Sequence, residues 1–154
     1  MEKQHNRGQD GAGIGCVRFD MPPGERFIDR VRTAQRNPIE RLFKTVMDPI
    51  ADLDDDAICA LSPLELKRKI PLFGEAMLAH LRYATHGGNS DDVCHPYLRK
   101  NIVGSRNLAI AGNFNNTNSS LLFQQLVDFG LDPVGESDTQ VVLEKIGYYL
   151  DRAH

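Results

Sequence analysis

Four glycines fall within eight residues near the start of this chain, in the sequence GQDGAGIG at residues 8 to 15. Glycine adopts backbone conformations that other residues avoid, so this density predicts tight turns rather than a helix. The stretch leads into AGIGCVRF, residues 12 to 19, whose apolar and β-branched residues indicate a strand. We therefore interpret the glycines as turn residues that steer the chain into an early strand.

Three stretches suggest a cofactor-binding or metal-binding motif, but each lacks residues or a spacing that the motif requires. The glycine-rich stretch matches neither GxGxxG nor GxxxxGK[ST], and it precedes its strand where a dinucleotide-binding loop follows one. Residues 52 to 63, DLDDDAICALSP, lack the glycine and the glutamate of a calcium loop, which predicts an acidic turn in solvent. His80, His86, Cys94 and His95 have no spacing typical of zinc ligands. We expect neither a metal nor a cofactor.

Composition limits the classes of partner. The chain has 154 residues, enough for one ordinary domain, and a net charge of −3, which gives no reason to expect nucleic acid or an anionic membrane as partner. It has no apolar run of membrane-spanning length and no secretory signal, so we predict a cytoplasmic protein. Cys16, Cys59 and Cys94 are an odd number at wide spacing, and we expect each to be a small buried residue.

The middle of the first half has mainly helical patterns. We predict helices at residues 25 to 35, at residues 38 to 47, and from Ser62 until Pro71. The second has apolar residues at helical spacing after Asn37 as N-cap, and the third begins with a capping box of Ser62 and Glu65. The first pattern is weaker than these two. Residues 20 to 74 are therefore predicted to be a helical excursion.

The remaining elements are two strands and two helices. The apolar stretches from Ala76 to Tyr83 and from Leu108 to Ala111 both end in turns, as strands that deliver residues to a site commonly do. Asn118 and Ser137 then begin helices, the first of which is closed by Gly130. Strands and helices without regular alternation indicate an α+β fold.

Three separated stretches together resemble the class II glutamine amidotransferases, most closely the amidophosphoribosyltransferase branch. They are HNRGQDGAGI at residues 5 to 14, HLRYATHGG at 80 to 88, and LAIAGNFNNT with ESDTQ at 108 to 117 and 136 to 140. RGQD favours the purine-synthesis branch, whereas THG is more like the hexosamine-forming relatives. The resemblance implies the N-terminal-nucleophile hydrolase fold, a sandwich of two antiparallel sheets flanked by helices. We expect residues 1 to 154 to be one partial glutaminase-type domain, incomplete at both ends, with a helical insertion at about 20 to 74.

The resemblance also implies how the chain binds glutamine. Arg82 matches the arginine for the α-carboxylate, a task suited to the planar guanidinium fork. Asp138 matches the carboxylate that receives the α-ammonium, at the start of a helix whose dipole favours negative charge. Thr85 and His86 match residues that line the same pocket, and Gly112 matches the glycine whose backbone contributes to the oxyanion hole.

Two catalytic features of the family have no counterpart in these residues. The family nucleophile is a cysteine at the mature N-terminus, whose α-amino group acts as the base, whereas this sequence begins with Met1. The asparagine that stabilises the oxyanion corresponds to Ala111, and removing one such donor typically costs about 2.7–4 kcal/mol. Cys94 and His95 are adjacent on an extended chain and therefore point to opposite faces. We expect no catalytic residue in this chain.

Three hypotheses about function remain open. In the first, the chain is a truncated glutaminase domain that, when complete, hydrolyses glutamine to glutamate and passes ammonia to a synthase. In the second, it is a catalytically dead glutamine-binding or scaffold module that has kept Arg82 and Asp138. In the third, it is a poorly folded fragment without activity. The partners implied are glutamine, the rest of a synthase, or a second copy of the chain that covers an exposed sheet edge.

Overall fold

The computed structural model describes residues 1 to 83, 90 to 135 and 137 to 153. The chain divides into two units, Met1–Pro96 and Tyr97–His154, and each is described by itself. The described residues form five α-helices and two small antiparallel sheets, which confirms the α+β class. The packing of the two sheets as a sandwich, the single domain and the helical insertion remain predictions. No described helix is both long and apolar enough to cross a membrane.

The first unit is built on a three-stranded antiparallel sheet with the strand order β2-β1-β3. Its elements are β1 (Gly11–Val17), β2 (Ile28–Thr33), α1 (Pro38–Met47), α2 (Asp55–Cys59), α3 (Pro63–Lys69) and β3 (Ala76–Arg82). One face of β1 carries Ala12, Ile14 and Cys16, which are buried against Leu42 of α1 and Leu72. This apolar cluster is the core of the first unit.

The opposite face of β1 carries no side chain from Gly11 to Gly15, because Gly11, Gly13 and Gly15 alternate along it before Val17 ends the strand. We call these three residues the glycine face. A Cβ atom on Gly13 would lie 1.9 Å from the carbonyl oxygen of His95, and one on Gly11 would lie 2.5 Å from Cys94 Sγ. The prediction that these glycines are turn residues was therefore wrong. They lie within the strand, where their missing side chains let the segment from Cys94 to Pro96 pack against the backbone.

The predicted helix at residues 25 to 35 was also wrong, since residues 28 to 33 form β2 and pair along β1. The physical reason lies in two alternating arginines. Arg30 Nη1 donates to the carbonyl oxygen of Pro96 at 3.0 Å, and Arg32 Nη1 donates to that of Cys94 at 3.0 Å. A helix would separate these two side chains, whereas a strand directs both to the segment that covers the glycine face.

The other helices of the first unit follow their local signals. In α3, Ser62 and Glu65 form the complete predicted capping box, with Glu65 N–H donating to Ser62 Oγ at 3.3 Å and Ser62 N–H donating to Glu65 Oε2 at 2.9 Å. Helix α1 begins at Pro38 as predicted, but Asn37 adopts a left-handed conformation (φ 57°) and its side chain forms no cap hydrogen bond. The predicted helices that begin at Pro38 and after Ser62 are thus both confirmed.

The acidic stretch at residues 52 to 63 contains the short helix α2, which Asp54 caps by accepting a hydrogen bond from Ala57 N–H at 2.6 Å. The prediction that each cysteine is buried is confirmed for Cys16 and Cys94 and is wrong for Cys59. Cys59 is the last residue of α2, a helix with no buried residue, so it remains exposed.

The second unit pairs two short strands with two helices. Its elements are β4 (Tyr97–Arg99), β5 (Leu108–Ile110), α4 (Ser119–Asp128) and α5 (Asp138–Arg152). Leu126 of α4 and the α5 residues Val141 and Leu143 are fully buried. The predicted closure by Gly130 is confirmed: this residue has φ +80° and donates to Val127 O at 2.8 Å, as in a Schellman motif.

Candidate functional site

Arg82 is the last residue of β3 and is only 7% exposed. It pairs with Gly11 of β1, and its carbonyl oxygen accepts a hydrogen bond from Asp10 N–H at 3.1 Å. Because a charge is costly to bury, a guanidinium in this position is more typical of a binding residue than of a solvated strand end. The structure thus excludes the simplest alternative for Arg82, an exposed surface charge.

Two neutral histidines lie beside Arg82 in the first unit. The imidazole rings of His80 and His95 meet edge to face with centroids 4.5 Å apart. Burial lowers the pKa of His80, and burial together with His80, Arg82 and Arg32 lowers the pKa of His95 to about 4. Both rings are therefore uncharged at neutral pH, and this part of the unit gains no positive charge beyond its arginines.

Cys94 is not an activated thiol. Its Sγ atom donates to the carbonyl oxygen of Thr33 at 3.4 Å, and burial raises the pKa of the thiol. The ring of His95 packs on His80 instead, so Cys94 and His95 do not form a nucleophile and base pair. Cys16 is likewise buried with a raised pKa, chiefly through desolvation.

Asp138 is the first residue of α5 and lies at the positive end of the helix dipole. Its Oδ2 atom accepts a hydrogen bond from the backbone N–H of Asn116 at 2.8 Å, and its Oδ1 atom accepts one from Ser119 Oγ. The carboxylate is thus fixed between α5 and the segment before α4. Each of its oxygens keeps lone pairs that can accept further hydrogen bonds from an ammonium group.

The segment between β5 and α4 contains Ala111 and Gly112, the two residues predicted to correspond to the oxyanion hole. Gly112 packs against Phe114, and a Cβ atom at residue 112 would lie 2.7 Å from the Phe114 ring. The side chain of Ala111 is a methyl group and can donate no hydrogen bond. The Nδ2 atom of Asn116 is buried and has no hydrogen-bond partner among the described residues.

A profile described as glutamine amidotransferases class-II matches residues 38 to 153 of this chain. The chain belongs to the class II glutamine amidotransferases.

Individual relatives carry two different activities in their names. A glutamine–fructose-6-phosphate aminotransferase from Tropheryma whipplei (strain Twist) is 28% identical over 142 residues, which are 92% of this chain and 18% of the relative. An amidophosphoribosyltransferase from Lacticaseibacillus casei is 38% identical over 76 residues, which are 49% of this chain and 38% of the relative. A Corynebacterium diphtheriae aminotransferase of the first kind is 35% identical over 71 residues, 46% of this chain and 11% of the relative. This chain thus spans well under half the length of these relatives.

The predicted glutamine-binding residues fall in different parts of the chain. Arg82 belongs to the first unit, whereas Gly112 and Asp138 belong to the second. Thr85 and His86 lie outside the described residues. Within the second unit, Asp138 is fixed directly beside the segment that contains Gly112, through its bond to Asn116.

Sequence reasoning missed the two residues that position Asp138. Ser119 and Asn116 supply both hydrogen bonds to its carboxylate, yet neither belongs to a side-chain pattern that predicts this contact. The available signal is the polar run NNTNSS at residues 115 to 120, which lies just before an apolar helix. Such a run offers several donors to a carboxylate, but the partner 19 to 22 residues away is set by tertiary structure.

Proposed function

We propose that this chain is the glutamine-binding part of a class II glutaminase of amidophosphoribosyltransferase type. Asp138 binds the α-ammonium of glutamine, and Arg82 binds its α-carboxylate. The observation that carries the proposal is the fixed carboxylate of Asp138, within a family motif, at a helix start and with two hydrogen-bond donors on its oxygens. Thr85, His86 and Gly112 complete the glutamine-binding set by their match to the family.

The two charged residues suit the two ends of a free amino acid. A carboxylate that already accepts two hydrogen bonds is held in one orientation, and an ammonium group can then add a charge-assisted bond. The buried guanidinium of Arg82 offers several N–H donors in a fixed fork, which matches a carboxylate. Together they select an amino acid over a simple amide.

The 154 residues are proposed to bind glutamine without hydrolysing it. Cys16 and Cys94 are buried thiols with raised pKa, and Cys59 lies at the end of a helix, so none is an N-terminal nucleophile. Ala111 also removes a donor from the oxyanion hole. A complete enzyme of this type would release ammonia from glutamine for purine nucleotide synthesis.

Two observations favour alternatives within the same family. The aminotransferase of Tropheryma whipplei matches 92% of this chain, which favours a hexosamine-forming enzyme as the source of the domain. The methyl group of Ala111 favours a dead glutamine-binding or scaffold module. Both alternatives keep glutamine as the ligand and differ in what happens to its amide nitrogen.

Isothermal titration calorimetry with L-glutamine tests the proposal on the full chain. We expect binding at millimolar concentrations or below, and a loss of about tenfold or more in affinity for Asp138→Asn, since a charge-assisted bond is lost. Arg82→Lys keeps the charge but loses the fork, and should also weaken binding. Asp128→Asn, the same change at an exposed residue of α4, is the matched control and should bind like the wild type.

The same samples test the absence of catalysis through an assay for released ammonia. Wild-type chain that binds glutamine and releases no ammonia supports the proposal. Release of ammonia contradicts the inactivity of the chain. No heat with millimolar L-glutamine, or equal losses in Asp138→Asn and Asp128→Asn, contradicts the assignment of the binding residues.

A further inference from the structure

The first unit contains a cavity of about 410 Å³ between the β1–β2 connection and the C-terminal end of α3. Its charged lining residues are Arg18, Glu25, Arg26, Asp29, Arg68 and Lys69. Met21 and Pro71 add apolar surface. The volume is within the range of small-molecule sites. Arg82, Gly112 and Asp138 are not among its described lining residues.

Arg18 lines this cavity, and one of its three guanidinium nitrogens has no partner among the described residues. Its side chain is only 6% exposed. The Nε atom donates to the carbonyl oxygen of Phe73 at 3.2 Å, and Nη2 donates to Asp29 Oδ2 at 3.0 Å. The remaining nitrogen, Nη1, has no hydrogen-bond partner among the described residues. A buried guanidinium that is fixed on two nitrogens and open on the third is a rigid donor at the cavity wall.

The cavity has an excess of positive charge. Asp29 is shared by Arg18 and Arg26, and its two oxygens lie 3.0 Å and 3.1 Å from these guanidinium groups. Glu25 accepts a hydrogen bond from Arg68 Nε at 2.8 Å, which lowers the pKa of Glu25 and keeps it ionised. Lys69 forms no ion pair within the described part of the chain. Four cationic side chains thus line the cavity with two carboxylates, which leaves an excess of positive charge that nearby Glu65 offsets only in part through Lys69 and Arg68.

We propose that this cavity binds the phosphate group of a small phosphorylated metabolite, with Arg18 Nη1, Arg26 and Lys69 as its donors. A phosphate monoester carries about −1.5 to −2 charges at neutral pH, which matches the excess. Its three terminal oxygens can accept one hydrogen bond from each donor. The volume left beyond the phosphate, with Met21 and Pro71 beside it, accommodates the organic part of a small monoester.

Calorimetry of the full chain in a phosphate-free buffer of constant ionic strength tests this proposal, with inorganic phosphate, glycerol 3-phosphate and succinate as probes. We expect glycerol 3-phosphate to bind at millimolar concentrations or below, with inorganic phosphate weaker and succinate weaker still. Arg26→Gln and Lys69→Gln change exposed side chains and should each weaken binding of glycerol 3-phosphate several-fold, up to about tenfold. Arg18→Lys should lose most of the binding because it removes Nη1 but keeps the charge.

Lys44→Gln is the matched control, because Lys44 lies on α1, pairs with Asp48 and does not line the cavity. This variant should bind glycerol 3-phosphate like the wild type. An equal loss in Lys44→Gln and Lys69→Gln would show unspecific attraction and overturn the proposal. Tighter binding of succinate, or no binding of either phosphate probe, would overturn it as well. If Arg18→Lys does not fold, the double variant Arg26→Gln with Lys69→Gln tests the proposal in its place. Titration of the same samples with glutamine measures the proposed glutamine site separately.

Discussion

The glycine face can pack against the segment from Cys94 to Pro96 because each glycine has a hydrogen atom where other residues have Cβ. We predict that Gly13→Ala lowers the free energy of unfolding by about 2 kcal/mol or more, since its methyl group would overlap the backbone of His95, which cannot rotate away as a side chain can. Urea unfolding followed by circular dichroism measures the change.

Gly135→Ala is the control for this experiment. A Cβ atom on Gly135 would meet no atom within 4 Å among the described residues beyond its chain neighbours, and its φ angle lies outside the left-handed region, so the change should be neutral or slightly stabilising. A stability of Gly13→Ala equal to that of Gly135→Ala would mean that the contact between Gly13 and His95 is not present in solution.

At the scale of residues, the sequence shows which side chains are candidates for binding, but it does not predict their burial or their hydrogen-bond partners. Arg82 and Asp138 could be selected because they lie within family motifs. Nothing in the sequence predicts that Arg82 is buried, or that Ser119 and Asn116 fix the carboxylate of Asp138. Those contacts join residues far apart in the chain, and they depend on how the elements pack.

Elements with local signals could be predicted, and those that depend on partners could not. The capping box of α3 and the Schellman closure of α4 involve residues within six positions of each other, so the sequence carries the whole signal. Strand β2 has an arginine-rich sequence that is compatible with a helix, and only its pairing with β1 and its contacts to the segment from Cys94 to Pro96 make it a strand. The prediction for the glycine face was wrong for the same reason.

Strand β3 is an edge strand with apolar side chains in solvent. Met77 is 65% exposed and Leu78 is 37% exposed, and no strand among the described residues pairs with the outer edge of β3. Such an edge favours pairing with another chain. We predict concentration-dependent association of the wild-type chain, measured by sedimentation velocity, and weaker association of Met77→Lys because a charge on the edge opposes pairing.

Met47→Lys provides the comparison for this experiment. Met47 is 52% exposed at the end of α1, so the substitution places the same charge at a similar exposure away from the sheet edge. Association that both variants reduce equally would point to a general effect of charge and not to the β3 edge.

The stability of the whole chain should depend on the neutral state of its half-buried histidines, His80 and His95. The pKa of His95 is about 4 in the folded protein against 6.5 for an unperturbed histidine, so the unfolded chain binds more protons between these values. Stability is therefore fully present above pH 6.5 and decreases as the pH falls toward 4. From neutral pH to pH 5 we expect His95 to account for a loss of about 2 kcal/mol in the free energy of unfolding.

His95→Gln tests this assignment, because it removes the titrating group and should flatten the dependence of stability on pH between about 7 and 5. The carboxylates whose pKa values are lowered by hydrogen bonds lose their stabilising contribution at lower pH; they are Glu25, Glu65, Glu75 and Asp151. An unchanged slope in His95→Gln over that same range would therefore contradict the role given to this histidine.

The glycine face also determines which substitutions β1 can tolerate. Every change in the first or second base of a glycine codon introduces a side chain or a stop, so positions 11, 13 and 15 accept almost no missense change. Positions 12, 14 and 16 on the other face need only small or medium apolar residues, for which several codons serve. A saturation-mutagenesis scan should show tolerance that alternates with a period of two residues, and that alternation would report from growth or abundance counts alone which residues of β1 belong to the glycine face.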